Sequence, residues 1–164
     1  MRFNIVKKGL VLLFILIAFN ACEDNTLENG MKPVHWDRDI CQRCKMIMSE
    51  KKFAVQVVNA KTNKSYMFDD LGCAVLWFIE DEITWFNEAN IFIADAMTGK
   101  WLNAREAIYI GDTLTPMGYG LSAYSKKTIV ENSEHLNFEQ AVEKIKQIDH
   151  QQKMRRKNNS HIHH

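Results

Sequence analysis

Cys41-Gln-Arg-Cys44-Lys-Met46 constrains this chain more than any other stretch. A Cys-x-x-Cys pair wrapped round a tight turn can point both sulfurs at one centre. A thioether follows two residues after Cys44, and Met48 follows it. Thiolate combined with thioether favours a soft ion, above all Cu(I), whereas a structural zinc site wants four thiolate or imidazole ligands. Cys-x-x-Cys alone is shared by disulfides, redox sites, zinc knuckles and haem attachment. Haem attachment fails here because Lys45 stands where that motif needs His.

The start of the chain reads as an address. Arg2, Lys7 and Lys8 make a positive region, residues 10–19 are an uninterrupted apolar run, and Asn20, Ala21 and Cys22 follow. That run is too short to span a bilayer comfortably and suits a signal-peptide core. A small residue directly before Cys resembles a bacterial lipobox, although Phe19 and Asn20 are unusual there; an ordinary signal peptide cleaved near a Cys is the alternative. Residues 1–21 are therefore expected to be removed, with Cys22 acylated. More than one acyl chain is what stable anchoring requires. Cys41, Cys44 and Cys73 then remain as three thiols, an odd number outside the cytoplasm, which a bound metal accounts for better than disulfides alone.

Loss of the leader removes three positive charges and no negative ones, so the net charge moves from +1 to −2. Nucleic-acid binding has no electrostatic support. Residues 22–164 suffice for one compact domain or two very small ones. Residues 22–33 are polar with Gly and Pro and read as a flexible tether; the fold is expected over 34–148, and residues 149–164, basic and His-containing, read as a disordered tail. His35, six residues before Cys41, is a candidate ligand, although a partly exposed histidine is the plainer reading.

Within the domain, 53–59 is β-branched and apolar, 61–64 is a turn and 65–68 a returning strand, which predicts a hairpin. Asp69 or Asp70 caps a helix over 71–82, with Leu71, Ala74, Val75, Phe78 and Ile79 as its apolar face. Cys73 falls in the first turn of that helix, where the helix dipole favours a thiolate; an inert buried Cys is the competing reading. Strands follow at 91–94, 101–103, 121–124 and 127–130, with 104–108 either helical or extended. Asn137 caps a helix from 138 to about 147, with Phe138, Ala141, Val142, Ile145 and Ile148 on one face. The expected class is α+β, built as two small pseudo-repeated strand-strand-helix units at about 34–88 and 89–148. Met117 lies between Pro116 and Gly118 in a stretch without helical or strand period, where a surface thioether could cover a soft metal.

The lipobox, Cys41-x-x-Cys44-x-Met46, Phe68-Asp69-Asp70-x-Gly72-Cys73 and Thr115-Pro116-Met117-Gly118-x-Gly120 occur in one order along the chain. Together they resemble the NosL family, the nitrous oxide reductase accessory lipoproteins, over roughly 35–148. The resemblance implies a lipid-anchored, extracytoplasmic Cu(I)-binding protein that supplies copper to nitrous oxide reductase. It also implies two α+β units of strand-strand-helix-strand type, related to the organomercurial lyases. It marks Cys41, Cys44 and Met46 as the sulfur motif and Met117 as the loop methionine. Cys73 matches a position that part of the family fills with Cys. Lys45 departs from the family's frequent Gly, which tolerates a positive φ that Lys resists.

The expected mechanism is transfer of Cu(I) by ligand exchange from a few-coordinate site, without catalysis. The partners are a copper-dependent reductase apoprotein or its assembly machinery, and the membrane through Cys22. Two alternatives stay open from the residues: a thiol oxidoreductase or lyase-like protein using Cys41, Cys44 and Cys73, and a structural zinc domain using these with His35.

Overall fold

A computed structural model describes residues 28–111, 113–129 and 133–160. The leader and Cys22 lie outside the described residues. Four antiparallel strands form the first sheet, in the order β2-β1-β3-β4: β1 Val55–Val58, β2 Ser65–Phe68, β3 Asn90–Ala94 and β4 Trp101–Asn103. Helix α1, Leu71–Glu80, connects β2 to β3. Three short strands form the second sheet, in the order β6-β5-β7: β5 Ile108–Ile110, β6 Ser122–Tyr124 and β7 His135–Leu136. Helix α2, Phe138–Ser160, ends the described chain. The class is α+β, as expected. No helix among the described residues is long and apolar enough to cross a membrane.

Strand register explains where the core sits. Val55 pairs with Phe68 and Ile93, and Val57 with Tyr66 and Ile91. The period of two puts these side chains on one face. Trp77 of α1 lies on it, with ring centroids 4.7 Å from Tyr66 and 5.3 Å from Phe68. Helix α1 also packs on α2, so its residues 71–78 are all buried. A helix covered on two sides needs no polar stripe. Ile79, expected on the apolar face, is instead 49% exposed.

On the opposite face Gln56 is fully buried, yet every polar group it brings is used. Its Nε2 donates to the Lys32 carbonyl at 2.8 Å, and its Oε1 accepts from the Lys32 N–H at 3.0 Å and the Ser65 hydroxyl at 3.0 Å. Met31 is buried beside this clamp. The end of the expected tether is thus part of the domain, because β1 has two faces to cover and this segment covers one.

The β1-β2-α1-β3 run has the strand-strand-helix-strand order that the resemblance implies. The expected division near 88/89 does not follow the sheets, since β3 inserts beside β1 and β4 extends the same sheet. Asp95, at the end of β3, forms a parallel bridge to Ala123 of β6, which joins the two sheets. Segment 104–108 turns and then enters β5, and 126–128 is a turn where a strand was expected. Asn137 and Gln140 cap α2 reciprocally, at 2.8 and 2.9 Å. The expected buried face of α2 holds: Phe138, Ala141 and Ile145 are buried. Its length does not, because the helix continues to residue 160 through the segment expected to be disordered. Lys153 ties that extension to Asp149 at 2.7 Å and to Glu80 of α1 at 3.6 Å.

Candidate metal centre

Three segments meet at one end of the first sheet. The first is a knuckle closed by a bridge between Ile40 and Ile47. Inside it the Cys41 N–H donates to the Met46 carbonyl at 2.9 Å, and the Lys45 N–H to the Cys41 carbonyl at 3.1 Å. Lys45 adopts φ 63°, the left-handed conformation that Gly takes freely. The turn therefore keeps its shape, and the lysine carries the strain. The Gln42 N–H donates to the Met67 carbonyl at 2.8 Å, hanging the knuckle on β2.

The second segment is Asp69-Asp70, directly after β2, and the third is the first turn of α1. The two aspartates divide the work. Asp70 accepts from the Gly72 N–H at 2.7 Å and caps α1, and its other oxygen faces the Met117 N–H at 3.4 Å. Burial raises its pKa. Asp69 turns instead to the sulfurs, accepting from the Cys44 thiol at 3.2 Å.

Cys41, Cys44, Cys73 and Asp69 thus form a cluster whose ligand atoms all lie within 4.8 Å of one another. Cys41, Cys73 and Asp69 are buried, and Cys44 is partly exposed. All three cysteines are free thiols. Oδ1 of Asp69 is buried with no hydrogen-bond partner. A buried, half-unpaired carboxylate is costly, and a cation would satisfy it. Three sulfurs and this oxygen fit a four-coordinate or three-coordinate thiophilic metal ion.

The cluster divides its protons unequally. The Cys41 sulfur accepts a bond from the Cys73 thiol and N–H bonds from Cys44 and Asp69, which outweigh burial and bring its pKa down to about 6. Cys44 is pushed up to about 12, mainly by burial, and the Cys41 and Asp69 neighbours add to the rise. Cys73 is driven far above the ordinary thiol range by its bond to Cys41 and by burial. This corrects the expectation that its helix position makes Cys73 easy to ionise: a thiolate already stands beside it. Cys41 is the sulfur whose surroundings favour the thiolate, so a metal that takes all three sulfurs must displace the protons that Cys44 and Cys73 hold more firmly.

Of the other sequence candidates, Met46 and Met117 both lie beside Cys44, whereas His35 does not join the thiol–carboxylate cluster. Met46 is 51% exposed, while its backbone N–H bonds the Cys44 sulfur. Met117 lines, with Cys44, Arg43 and Tyr119, a cleft of about 340 Å³ closed on its far side by α2 residues Gln152 and Arg156. His35 lies on another cleft, its side chain 63% exposed and 3.4 Å from Asp39. Met48 is core.

Sequence reasoning missed two residues. Asp69 was read only as a possible cap; its adjacency to a second Asp at a strand end was the available signal, since one of the two had to face elsewhere. Arg43 gave no signal. Its guanidinium makes a two-pronged bond to Glu80 at 2.7 and 2.9 Å and reaches Tyr119 Oη at 3.3 Å and Cys73 Sγ at 3.9 Å.

Fold and cluster together define an α+β domain with a buried thiol–carboxylate centre suited to a metal ion. The fold is shared with a solved structure, that of the copper chaperone NosL from Shewanella denitrificans. The match has a TM-score of 0.52 at 13% identity and covers 67% of this chain and 94% of that one. The protein has a NosL-like fold. No family model matches the sequence, and no curated protein does.

Proposed function

We propose that this protein is a membrane-anchored, extracytoplasmic Cu(I)-binding metallochaperone. It hands copper by ligand exchange to a copper-dependent reductase apoprotein, nitrous oxide reductase being the recipient that the sequence motifs favour. The observation that carries the reading is the convergence of three thiols, two of them buried and the third, Cys44, lining a cleft that also presents Met117. Cu(I) is soft and accepts two or three sulfur ligands, so it can be held tightly and still be open to an incoming Cys, Met or His. Cys44 is the partly exposed sulfur, so exchange starts there, while Cys41 and Cys73 hold the ion from below. The protein acts as a carrier rather than a catalyst. Acylation at Cys22 would keep it at the membrane surface.

Asp69 favours a second reading. A hard carboxylate oxygen in the cluster suits the borderline ion Zn(II) better than Cu(I). A closed site of three thiolates and one carboxylate would be structural.

Anaerobic competition of the full chain in detergent against a Cu(I) chelator, with zinc in parallel, separates the two. One-to-one Cu(I) binding that is lost in Cys41→Ser and Cys44→Ser, and weakened in Met117→Leu, supports the chaperone. Tight zinc binding with weak copper binding, sensitive to Asp69→Asn and indifferent to Met117, overturns it in favour of the zinc site.

A further inference from the structure

We propose that Arg43 is the counter-charge of the metal centre and that Glu80 opposes it, so that this pair sets how firmly the cargo is held. The inference rests on the metal-binding reading of the cluster. Three thiolates around a monovalent ion leave two negative charges, and around a divalent ion one; Asp69 adds another in either case. These charges sit in a largely buried site, where they are weakly screened.

Arg43 is the cation that the structure holds against a cluster sulfur, 3.9 Å from Cys73 Sγ. It lies inside the Cys-x-x-Cys turn itself, and its side chain is only 17% exposed. Guanidinium does not lose its charge, and its planar fork serves two directions at once. One edge grips Glu80 and the other faces Cys73 and the Tyr119 hydroxyl. Glu80 therefore both orients Arg43 and subtracts from its field. Lys153 draws on Glu80 as well, at 3.6 Å from the oxygen opposite the Nε contact. The extension of α2 thus reaches the metal centre through a chain of charges, and the cleft beside Cys44 is walled by the same residues.

A merely structural bridge and a counter-charge make opposite predictions for the two partners. If the bridge only shapes the loop, Arg43→Gln and Glu80→Gln both weaken metal binding. If Arg43 acts by charge, Arg43→Gln weakens it and Glu80→Gln strengthens it. The test is chelator competition on the full chain, with Cu(I) and Zn(II) as separate probes. Arg43→Gln is expected to raise the Cu(I) dissociation constant by between about fivefold and about a thousandfold, the limits set by one charge ~4 Å away in water and at an effective dielectric of about 20. Glu80→Gln should lower it severalfold, Arg43→Lys should stay closer to wild type than Arg43→Gln, and each shift should be smaller for Zn(II). Equal signs for Arg43→Gln and Glu80→Gln, or no change in either, overturn the proposal. If Arg43→Gln does not fold, the sign of Glu80→Gln alone decides. A wild-type chain that binds neither ion would instead remove the metal-site reading beneath it.

Discussion

Replacing Gly72 by Ala adds one methyl group to the first turn of α1, and two physical effects give that change opposite signs. Helix propensity favours Ala over Gly by about 0.5–1 kcal/mol, so an open site would be stabilised. Gly72 is not in the left-handed region, so backbone strain does not enter. Packing says the reverse. An added Cβ would lie 2.1, 2.2 and 2.7 Å from three ring atoms of Tyr119, where ordinary contact is 3.4–4 Å. The ring must retreat by more than an ångström, yet Tyr119 is itself buried and its hydroxyl is engaged by Arg43. Overpacking of this kind costs about 1–3 kcal/mol, so the net expectation is destabilisation of about 1–2 kcal/mol. Urea unfolding followed by circular dichroism should show a lower midpoint at unchanged slope. In a Tyr119→Ala background the same substitution should be neutral or stabilising, because the obstacle is gone. A Gly72→Ala midpoint equal to or above wild type would refute the reasoning and leave Gly72 as an incidental helix residue.

Two further outcomes follow from single residues. Asp95 is buried, which by itself raises its pKa, but bonds from the Thr128 hydroxyl, the Ser125 N–H and Thr98 overcome this and hold it at about 2 against an ordinary 3.8. Its folded pKa lies below the unfolded one, so its contribution, about 2 kcal/mol, is complete above pH 3.8 and drains away as pH falls towards 2. Asp95→Asn should flatten that acid limb in stability measured from pH 2 to 6, and an unchanged limb would contradict the assignment. Lys45→Gly should raise stability by up to about 1 kcal/mol, because a left-handed non-glycine residue is strained; a lower unfolding midpoint would show that its contact with the Gln42 carbonyl matters more.

What the sequence determined by itself was whatever short-range chemistry decides. The β1-β2 hairpin was legible because β-branched residues flank a polar turn, and the start of α1 because Asp70 precedes an apolar run. The capping of α2 was legible for the same kind of reason, as was the wrapping of Cys41 and Cys44 round one turn. The tertiary structure decided the rest. Strands β5 and β7 have three and two residues, too few to show a period, and exist because neighbours pair with them. The second half of α2 has no apolar stripe and is tied at Lys153 to Asp149 within the helix and to Glu80 on α1. Ile79 is exposed although its period places it inside, since α1 is covered on two sides elsewhere. The site divides along the same line. Two cysteines three residues apart are visible in any alphabet, but Cys73 joins them only because the Gln42 to Met67 bond hangs the knuckle on the strand that leads into α1. Asp69 faces the sulfurs because Asp70 has taken the helix cap, and Arg43 reaches Glu80, 37 residues away, only once α1 lies beside the knuckle. Residue types and local spacing named the chemistry; charge, burial and proton sharing within the centre arise from contacts between segments distant in the chain, and only folding brings those together.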